Sequence, residues 1–272
     1  MPAESLRHVR LAFLGAGSVT SNLVERLVSS SAVPADNILV TDPAAHKLQE
    51  LRRQFGIVIS PHDSEAARFA DILFLGVPAA PVTAILEQLR GCLSPKQLIV
   101  SLSMGVPTNS IEEAIGIAIP VARVVPTAAS LIGCGVNPYC LGKHVNPLDQ
   151  ARLVTVLATF GQCVKIAEEQ MDSMCALVST GQIYILPLMN AFTEAAVRAG
   201  IAEREARFLV AKVVLGTAEL VRQTEEDLAS GKLNFGLNRA EEERVRAMFG
   251  TAVREVLNRV SEAAKKTVAS AA

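Results

Sequence analysis

Tryptophan is absent from this chain of 272 residues, and aromatic side chains make up only 4% of it. A protein so poor in flat side chains has little with which to stack nucleobases. Charge of either sign is also in short supply as a surplus: 26 Lys and Arg stand against 27 Asp and Glu, with no basic stripe. Nucleic acid is therefore not expected as a partner. Cysteine occurs five times, at Cys92, Cys134, Cys140, Cys163 and Cys175, never as C-x-x-C and never with a histidine at ligand spacing. A structural metal is not expected, and an odd, scattered set suits a reducing, cytoplasmic setting. The four histidines (His8, His46, His62 and His144) are equally dispersed. Residues Met1 to Arg10 are polar and mixed in charge, unlike a secretory leader. No apolar run is expected to reach the roughly 18 residues that a membrane-crossing helix needs, so no membrane partner is expected either.

What the chain does have is hydrophobic surface. Half of its residues are apolar and the mean hydropathy is +0.33, so that surface must be buried inside the fold or between subunits. In the first half, short strand-like runs alternate with helical stretches. Residues 8–14, 37–40, 56–59, 71–77, 97–102 and 123–125 read as strands. Residues 18–31, 44–55 and 81–90 carry helical spacing. The strand-like runs are continuously Leu-, Ile- and Val-rich instead of alternating, as expected of parallel strands covered on both faces. Strand–helix alternation with short links predicts a doubly wound α/β domain.

The first strand runs into Gly15-Ala16-Gly17-Ser18-Val19-Thr20, and a helix opens there. This is the order that a dinucleotide site requires. Gly15 allows the tight turn, Gly17 lets a pyrophosphate approach the backbone, and the helix beginning at Ser18 and Val19 presents free N–H groups and a positive dipole end. The third small position is occupied by Thr20, so the helix is expected to stand slightly further from the sheet. Asp42 ends the second strand, where a carboxylate accepts hydrogen bonds from the adenosine ribose and repels a 2′-phosphate. NAD is therefore the expected cofactor, with NADP left open because His46 and Lys47 follow. Val77-Pro78 closes the fourth strand, where backbone can pack against the cofactor.

Residues 137–147 turn polar and proline-bearing, which predicts a domain boundary: 1–147 as a Rossmann domain and 148–272 as an all-α domain. The stretch Ala206–Val221 has too many apolar residues for one helix face, so it must be enclosed. A helical domain this small cannot enclose it alone, which predicts a homodimer or larger homo-oligomer formed through that domain.

Several segments, taken in order, resemble the pyrroline-5-carboxylate reductase family. Residues 11–20 resemble its opening I-x-F-I-G-A-G-N-M-A, and 71–82 its fourth strand without the usual Lys before the Pro. Residues 98–116 are similar to its I-S-x-A-A-G-V segment, and 123–135 to its R-x-M-P-N-T-P-A-x-x-G-x-G signature. Residues 166–201 follow its E-x-x-x-D start and the long helices beyond. The resemblance implies the two-domain fold, dimerisation through the helices, and hydride transfer from a nicotinamide cofactor to an imine. It also implies that Ser103 and Thr127 line the nicotinamide pocket, and that Thr180, at a helix start, hydrogen-bonds the substrate nitrogen or a water beside it. An N-cap role for Thr180 is the alternative. Glu168 and Asp172 look like paired acids, although helix starts attract acids for dipole reasons alone.

The departures from the family pattern bear on substrate. Its Asn-Thr-Pro falls on Thr127-Ala128-Ala129, and its S-G-S-G-P-A-Y reads Val178-Ser179-Thr180-Gly181-Gln182-Ile183-Tyr184. The late S-P-G-G-T-T loop that holds the substrate carboxylate is replaced by Leu233-Asn234-Phe235-Gly236-Leu237-Asn238. A site that loses several positioned donors recognises the same anion poorly, so an imine or ketone of different size or charge is the expected substrate. Two further readings stay open. One is a C–O dehydrogenase, disfavoured because no His or Lys sits where a proton donor is needed. The other is a regulatory protein that senses the dinucleotide without turnover.

Overall fold

The computed structural model describes residues 6–224 and 239–269. Eight strands form one sheet in the order β3-β2-β1-β4-β5-β6-β7-β8. They are β1 (Leu11–Leu14), β2 (Ile38–Thr41), β3 (Val58–Ser60), β4 (Ile72–Leu75), β5 (Leu98–Ser101), β6 (Val121–Val124), β7 (Gly135–Leu141) and β8 (Gly161–Lys165). All neighbouring pairs are parallel except β6 with β7. Helices α1 (Ser18–Ser29), α2 (Ala45–Phe55), α3 (Asp63–Phe69), α4 (Val82–Leu89), α5 (Thr108–Ile115) and α6 (Pro147–Leu157) connect them.

The unbroken apolar runs are explained by two cores, one on each face of the sheet. Successive side chains of a strand point to opposite faces. Leu11 and Phe13 enter one core with Leu23, Val24 and Leu27 of α1, while Ala12 and Leu14 enter the other with Leu86 of α4 and Ile111 of α5. β4 repeats the pattern, with Phe74 stacked on Phe13 at 4.7 Å between ring centroids. The six expected strands are all present, each trimmed or shifted by a few residues.

The expected boundary at 147/148 is displaced. The chain divides into one compact unit of residues 1–176 with 257–272 and a second of 177–256. The polar stretch that suggested a linker contains β7, and α6 and β8 extend the sheet beyond it. Pro138 hides this strand from a sequence reading, because proline removes a ladder donor. Its carbonyl accepts from Val125 N–H at 3.0 Å on the β6 side. Its nitrogen faces that same side, just past the last paired residues Val124 and Tyr139, so the missing N–H removes only the terminal reciprocal bond of the ladder.

The remaining helices are α7 (Met171–Arg198), α8 (Glu203–Thr224) and α9 (Arg239–Ala269). From Ser173 to Thr193 the sequence carries no charge. The helical segment Glu168–Arg198 is long and apolar enough to cross a membrane by length and composition alone, contrary to the expectation of no such segment. Within the second unit, Tyr184 of α7 packs its ring against Phe249 of α9, with centroids 5.8 Å apart. Many apolar side chains stay outside this packing, among them Leu186 at 64% exposed, Phe208 at 61% and Leu215 at 63%.

The start of β8 tests how tightly the added strands are built. Gly161 has φ +132, and a Cβ there would run into the backbone of Gly135, with its nitrogen 2.5 Å away and its carbonyl carbon 2.8 Å away. Gly161→Ala should therefore destabilise the fold by about 3 kcal/mol or more, since strain and a backbone collision coincide. A urea-unfolding midpoint within error of wild type would show that β8 does not depend on this contact.

Candidate functional site

The site is built at the carboxyl ends of β1, β2, β4 and β5, where open α/β sheets bind ligands. Chain direction at the end of β1 is set by Gly15, whose φ is +94 and whose N–H donates to Thr41 O at 2.7 Å. A Cβ on Gly15 would lie 2.8 Å from Gly76 O, so the fold itself demands glycine here. Gly17 differs. Its φ of −76 and ψ of 173 suit any residue, and a Cβ would meet only Gly76 O, at 3.9 Å. Nothing among the described residues explains its missing side chain, whereas a ligand pressing on the backbone from outside does.

Gly17 is the N-cap of α1 and supplies no side-chain cap; the first turn contains no acid. The N–H groups of Ser18, Val19 and Thr20 thus lack intrahelical partners, and the dipole end is not neutralised locally. Val19 is 45% exposed beside them. These features fit the pyrophosphate of a dinucleotide.

Asp42 stands where the sequence reading put it, just past β2, and it also fastens the loop. Its Oδ2 accepts from Ala16 N–H at 2.8 Å and its Oδ1 from Ala44 N–H at 2.8 Å. Lys47 Nζ lies 3.9 Å from Oδ2. One bond to each oxygen leaves a lone pair on each, enough to accept a ribose diol.

On the other flank, β4 ends at Leu75, two residues earlier than expected, and Gly76 turns the chain toward Val77 and exposed Pro78. Ser103 follows β5, and its hydroxyl donates to Val77 O at 2.6 Å. Its polar group is therefore engaged with the backbone of the neighbouring loop. Thr127 follows β6 and caps a short 3-10 turn, Ala128–Ile132; its N–H donates to Ser130 Oγ at 3.1 Å.

Gly76 was not foreseen. Gly15, Gly17 and Thr20 all face it, and the only trace in the sequence is a glycine directly after four buried strand residues. Thr20 is wholly buried, and its Oγ1 fills the place that a Cβ of Gly76 would take. Room for the larger side chain therefore comes from the missing one at position 76.

Glu168 and Asp172 do not form a free acid pair. Buried Arg123 of β6 reaches Glu168 at 2.9 Å and Asp172 at 3.4 Å. Glu168 also accepts from the backbone N–H of Thr108 at 2.8 Å and from the Thr108 hydroxyl. It thereby caps the bare first turn of α5 from outside. Burial pushes the Glu168 carboxyl up, but the bonds from Thr108 and Arg123 outweigh it and hold the group below its ordinary range. Opposite Arg123 on β7, burial, with Glu168 adding to it, pushes the Cys140 thiol up to about 11, so this cysteine is a protonated core residue.

Thr180 lies well inside α7 and not at its start, which removes the N-cap alternative. It is buried, and its hydroxyl has no hydrogen-bond partner among the described residues. Thr193 of the same helix behaves ordinarily and donates to Met189 O at 2.8 Å. The replacement loop 233–238 lies outside the described residues.

A doubly wound sheet, a glycine turn with a bare helix N-terminus, and an acid closing β2 define a Rossmann-type oxidoreductase with an added helical unit. A family profile described as "NADP oxidoreductase coenzyme F420-dependent" matches residues 10–105, and one described as "Pyrroline-5-carboxylate reductase dimerisation" matches 168–263. Pyrroline-5-carboxylate reductase 1 of Bacillus spizizenii is 30% identical over 218 residues, covering 80% of this chain and 73% of that protein. Pyrroline-5-carboxylate reductase of Methanosarcina acetivorans is 27% identical over 270 residues, covering 96% of this chain and all of that one. The crystal structure of Plasmodium falciparum pyrroline carboxylate reductase with NADP bound superposes with a TM-score of 0.83 at 20% identity, covering 95% and 99% of the two chains. The chain belongs to the pyrroline-5-carboxylate reductase family, whose members are NAD(P)-dependent oxidoreductases acting on CH–NH groups. The second profile identifies its helical part as a homo-oligomerisation domain.

Because Glu168 is ionised more readily in the folded than in the unfolded chain, its stabilisation is full above the ordinary Glu range. It is lost as pH falls through the depressed value. Glu168→Gln should cost about 1–3 kcal/mol at neutral pH, with the gap to wild type closing as the solution is acidified. A gap that stays constant from neutral to acid pH would exclude this role.

Proposed function

We propose that the chain is an NAD(P)-dependent reductase delivering hydride to the carbon of a C=N bond, with a substrate range moved away from pyrroline-5-carboxylate. We further propose that it acts in a reducing, cytoplasmic setting as a homodimer or a larger homo-oligomer. The observation that carries the cofactor reading is Gly17, a glycine that nothing among the described residues requires, at the head of an uncapped helix. The dinucleotide supplies the hydride; the protein supplies placement. Ser18 and Val19 would hold the pyrophosphate through their N–H groups, and Asp42 the adenosine ribose. Val77, Pro78, Ser103 and Thr127 would shape the nicotinamide end. Asp42 is pinned by two backbone N–H groups, so its charge cannot easily swing aside for a 2′-phosphate, which supports NAD over NADP.

An iminium carbon is already electrophilic, so the chemistry needs no strong general base. Thr180 is the residue proposed to touch substrate, through the imine nitrogen or a water beside it. A threonine inside a helix normally bonds the carbonyl one turn back. The Thr180 hydroxyl makes no such bond and so keeps a donor free. The moved substrate range is supported by Ala128, whose side chain offers no hydrogen bond where the family pattern has Thr, and by Ala129, which replaces a rigid Pro. The loop at 233–238 likewise lacks the family's paired glycines and hydroxyls.

Oxidation of NADH and of NADPH with a panel of cyclic imines tests the reading. Expected are a lower KM for NADH than for NADPH, and faster turnover of an imine other than pyrroline-5-carboxylate. Fastest turnover of pyrroline-5-carboxylate would overturn the shifted range. Dinucleotide binding without turnover of any imine would turn the protein into a sensor. Thr180→Val should cut turnover at least about tenfold, about 1.4 kcal/mol of transition-state stabilisation, and an unchanged rate would remove Thr180 from the chemistry. Leu215→Glu, on the exposed apolar face of α8, should lower the sedimenting mass toward that of a monomer.

A further inference from the structure

We infer that Thr20 and Gly76 are a matched pair of positioning residues that sets the dinucleotide loop, each fixing what the other is allowed to be. The inference rests on the dinucleotide reading of this loop given above.

Gly76 is not required by its own backbone, because it is absent from the glycines with positive φ. It is required by what faces it. A Cβ at position 76 would collide with Thr20 Oγ1; Leu14 O, at 3.1 Å, would have to give by a few tenths of an ångström, and Gly15 O at 3.5 Å is in ordinary contact. The severe part of the collision thus comes from one side chain. That side chain cannot turn away into solvent, since Thr20 is 0% exposed, and its hydroxyl has no partner among the described residues. A buried hydroxyl without a partner is costly, so a polar role within the core does not explain Thr20. Shape does. Its threonine side chain fills the hollow left by the missing side chain of Gly76, and close-packed interiors transmit changes of this size.

The consequence reaches the ligand because Thr20 belongs to the first turn of α1, whose free N–H groups form the proposed pyrophosphate seat. Gly76 also touches the other side of the loop. Its carbonyl lies 2.8 Å from the place where a Gly15 Cβ would be and 3.9 Å from that of Gly17. Its N–H holds the end of β1 through Leu14 O at 2.8 Å. A methyl group added at 76 must push Thr20, and with it the head of α1, away from the end of β4. Misplacing those N–H groups weakens the hold on the dinucleotide and leaves the imine end alone.

The test is calorimetric titration of NADH into the full-length protein and its variants, with thermal melts alongside. Gly76→Ala should weaken NADH binding at least about tenfold. Thr20→Ala alone, which opens a hollow without obstructing the loop, should weaken binding by less than Gly76→Ala does. Thr20→Ala combined with Gly76→Ala should return to within about threefold of wild type, because the obstructing oxygen is gone. Thr20→Val combined with Gly76→Ala should remain as weak as Gly76→Ala, because a methyl replaces that oxygen. If Gly76→Ala alone does not fold, recovery of folding and binding in the Thr20→Ala double variant, but not in the Thr20→Val one, is the expected result. Additive effects of the two alanine substitutions would overturn the pairing, as would coupling seen in melting temperature but not in NADH affinity. A wild-type protein that binds neither NADH nor NADPH would sink the dinucleotide reading itself. A wild type that binds while its variants fail to couple would sink the pairing alone.

Discussion

The structure depends most on the close fit of the β1–α1 turn between the ends of β4 and β2. On one side Gly76 leaves no room for side chains at Gly15, and Thr20 fills its own hollow. On the other, Thr41 O and the Asp42 carboxylate take the N–H groups of Gly15 and Ala16. The turn is thus held by backbone contact and by hydrogen bonds at once. Helix α1 begins where the turn aims it, with no acid and no side-chain cap to cover its N-terminus. An anion site assembled in this way needs no rearrangement to receive its ligand, which is the form of economy that favours affinity.

A second fixed point lies in the same unit, where Arg123, Glu168, Asp172 and Thr108 tie β6, α5 and the first turn of α7 together. A buried cation is tolerable only when paired, and Arg123 meets two carboxylates. Glu168 also completes the bare N-terminus of α5. The first turn of α7 is therefore anchored by charge and capping together, although the apolar body of that helix offers nothing comparable. This accounts for the acids better than a catalytic pair would, since both carboxylates are engaged with Arg123.

Much of the first unit was legible in the sequence because its signals are local. Unbroken Leu, Ile and Val runs mark strands with a core on each face, and Gly15, Gly17 and Asp42 fall where strand–turn–helix order puts them. What escaped was set by contacts distant in sequence. Gly76 makes sense only against Thr20, 56 positions away in a chain whose intervening residues give no hint of it. Strand β7 was obscured by Pro138 and Asn137, polar and loop-like on paper. Within the sheet the proline nitrogen faces the unpaired end of β6, while the buried Asn137 accepts from Ser130 at 3.0 Å. Thr180 was placed at a helix start because the segment before it resembles one; the run from Met171 onward is helical without a break.

The same distinction between local and assembled signals separates cofactor from substrate. A dinucleotide is held largely by backbone, so its site survives in a few glycines and one acid, and these are present. A small imine must be recognised by side chains and loops drawn from distant parts of the sequence, and there the family pattern is broken at Thr127-Ala128-Ala129, around Thr180, and at 233–238. Those changes remove hydroxyls at Ala128, Val178, Leu233 and Leu237 and bring new amides or hydroxyls at Ser179, Gln182 and Asn234, so the donors are rearranged as well as reduced. An intact cofactor loop beside a changed substrate side is what the proposed shift of substrate range requires, because the two are built from different kinds of contact.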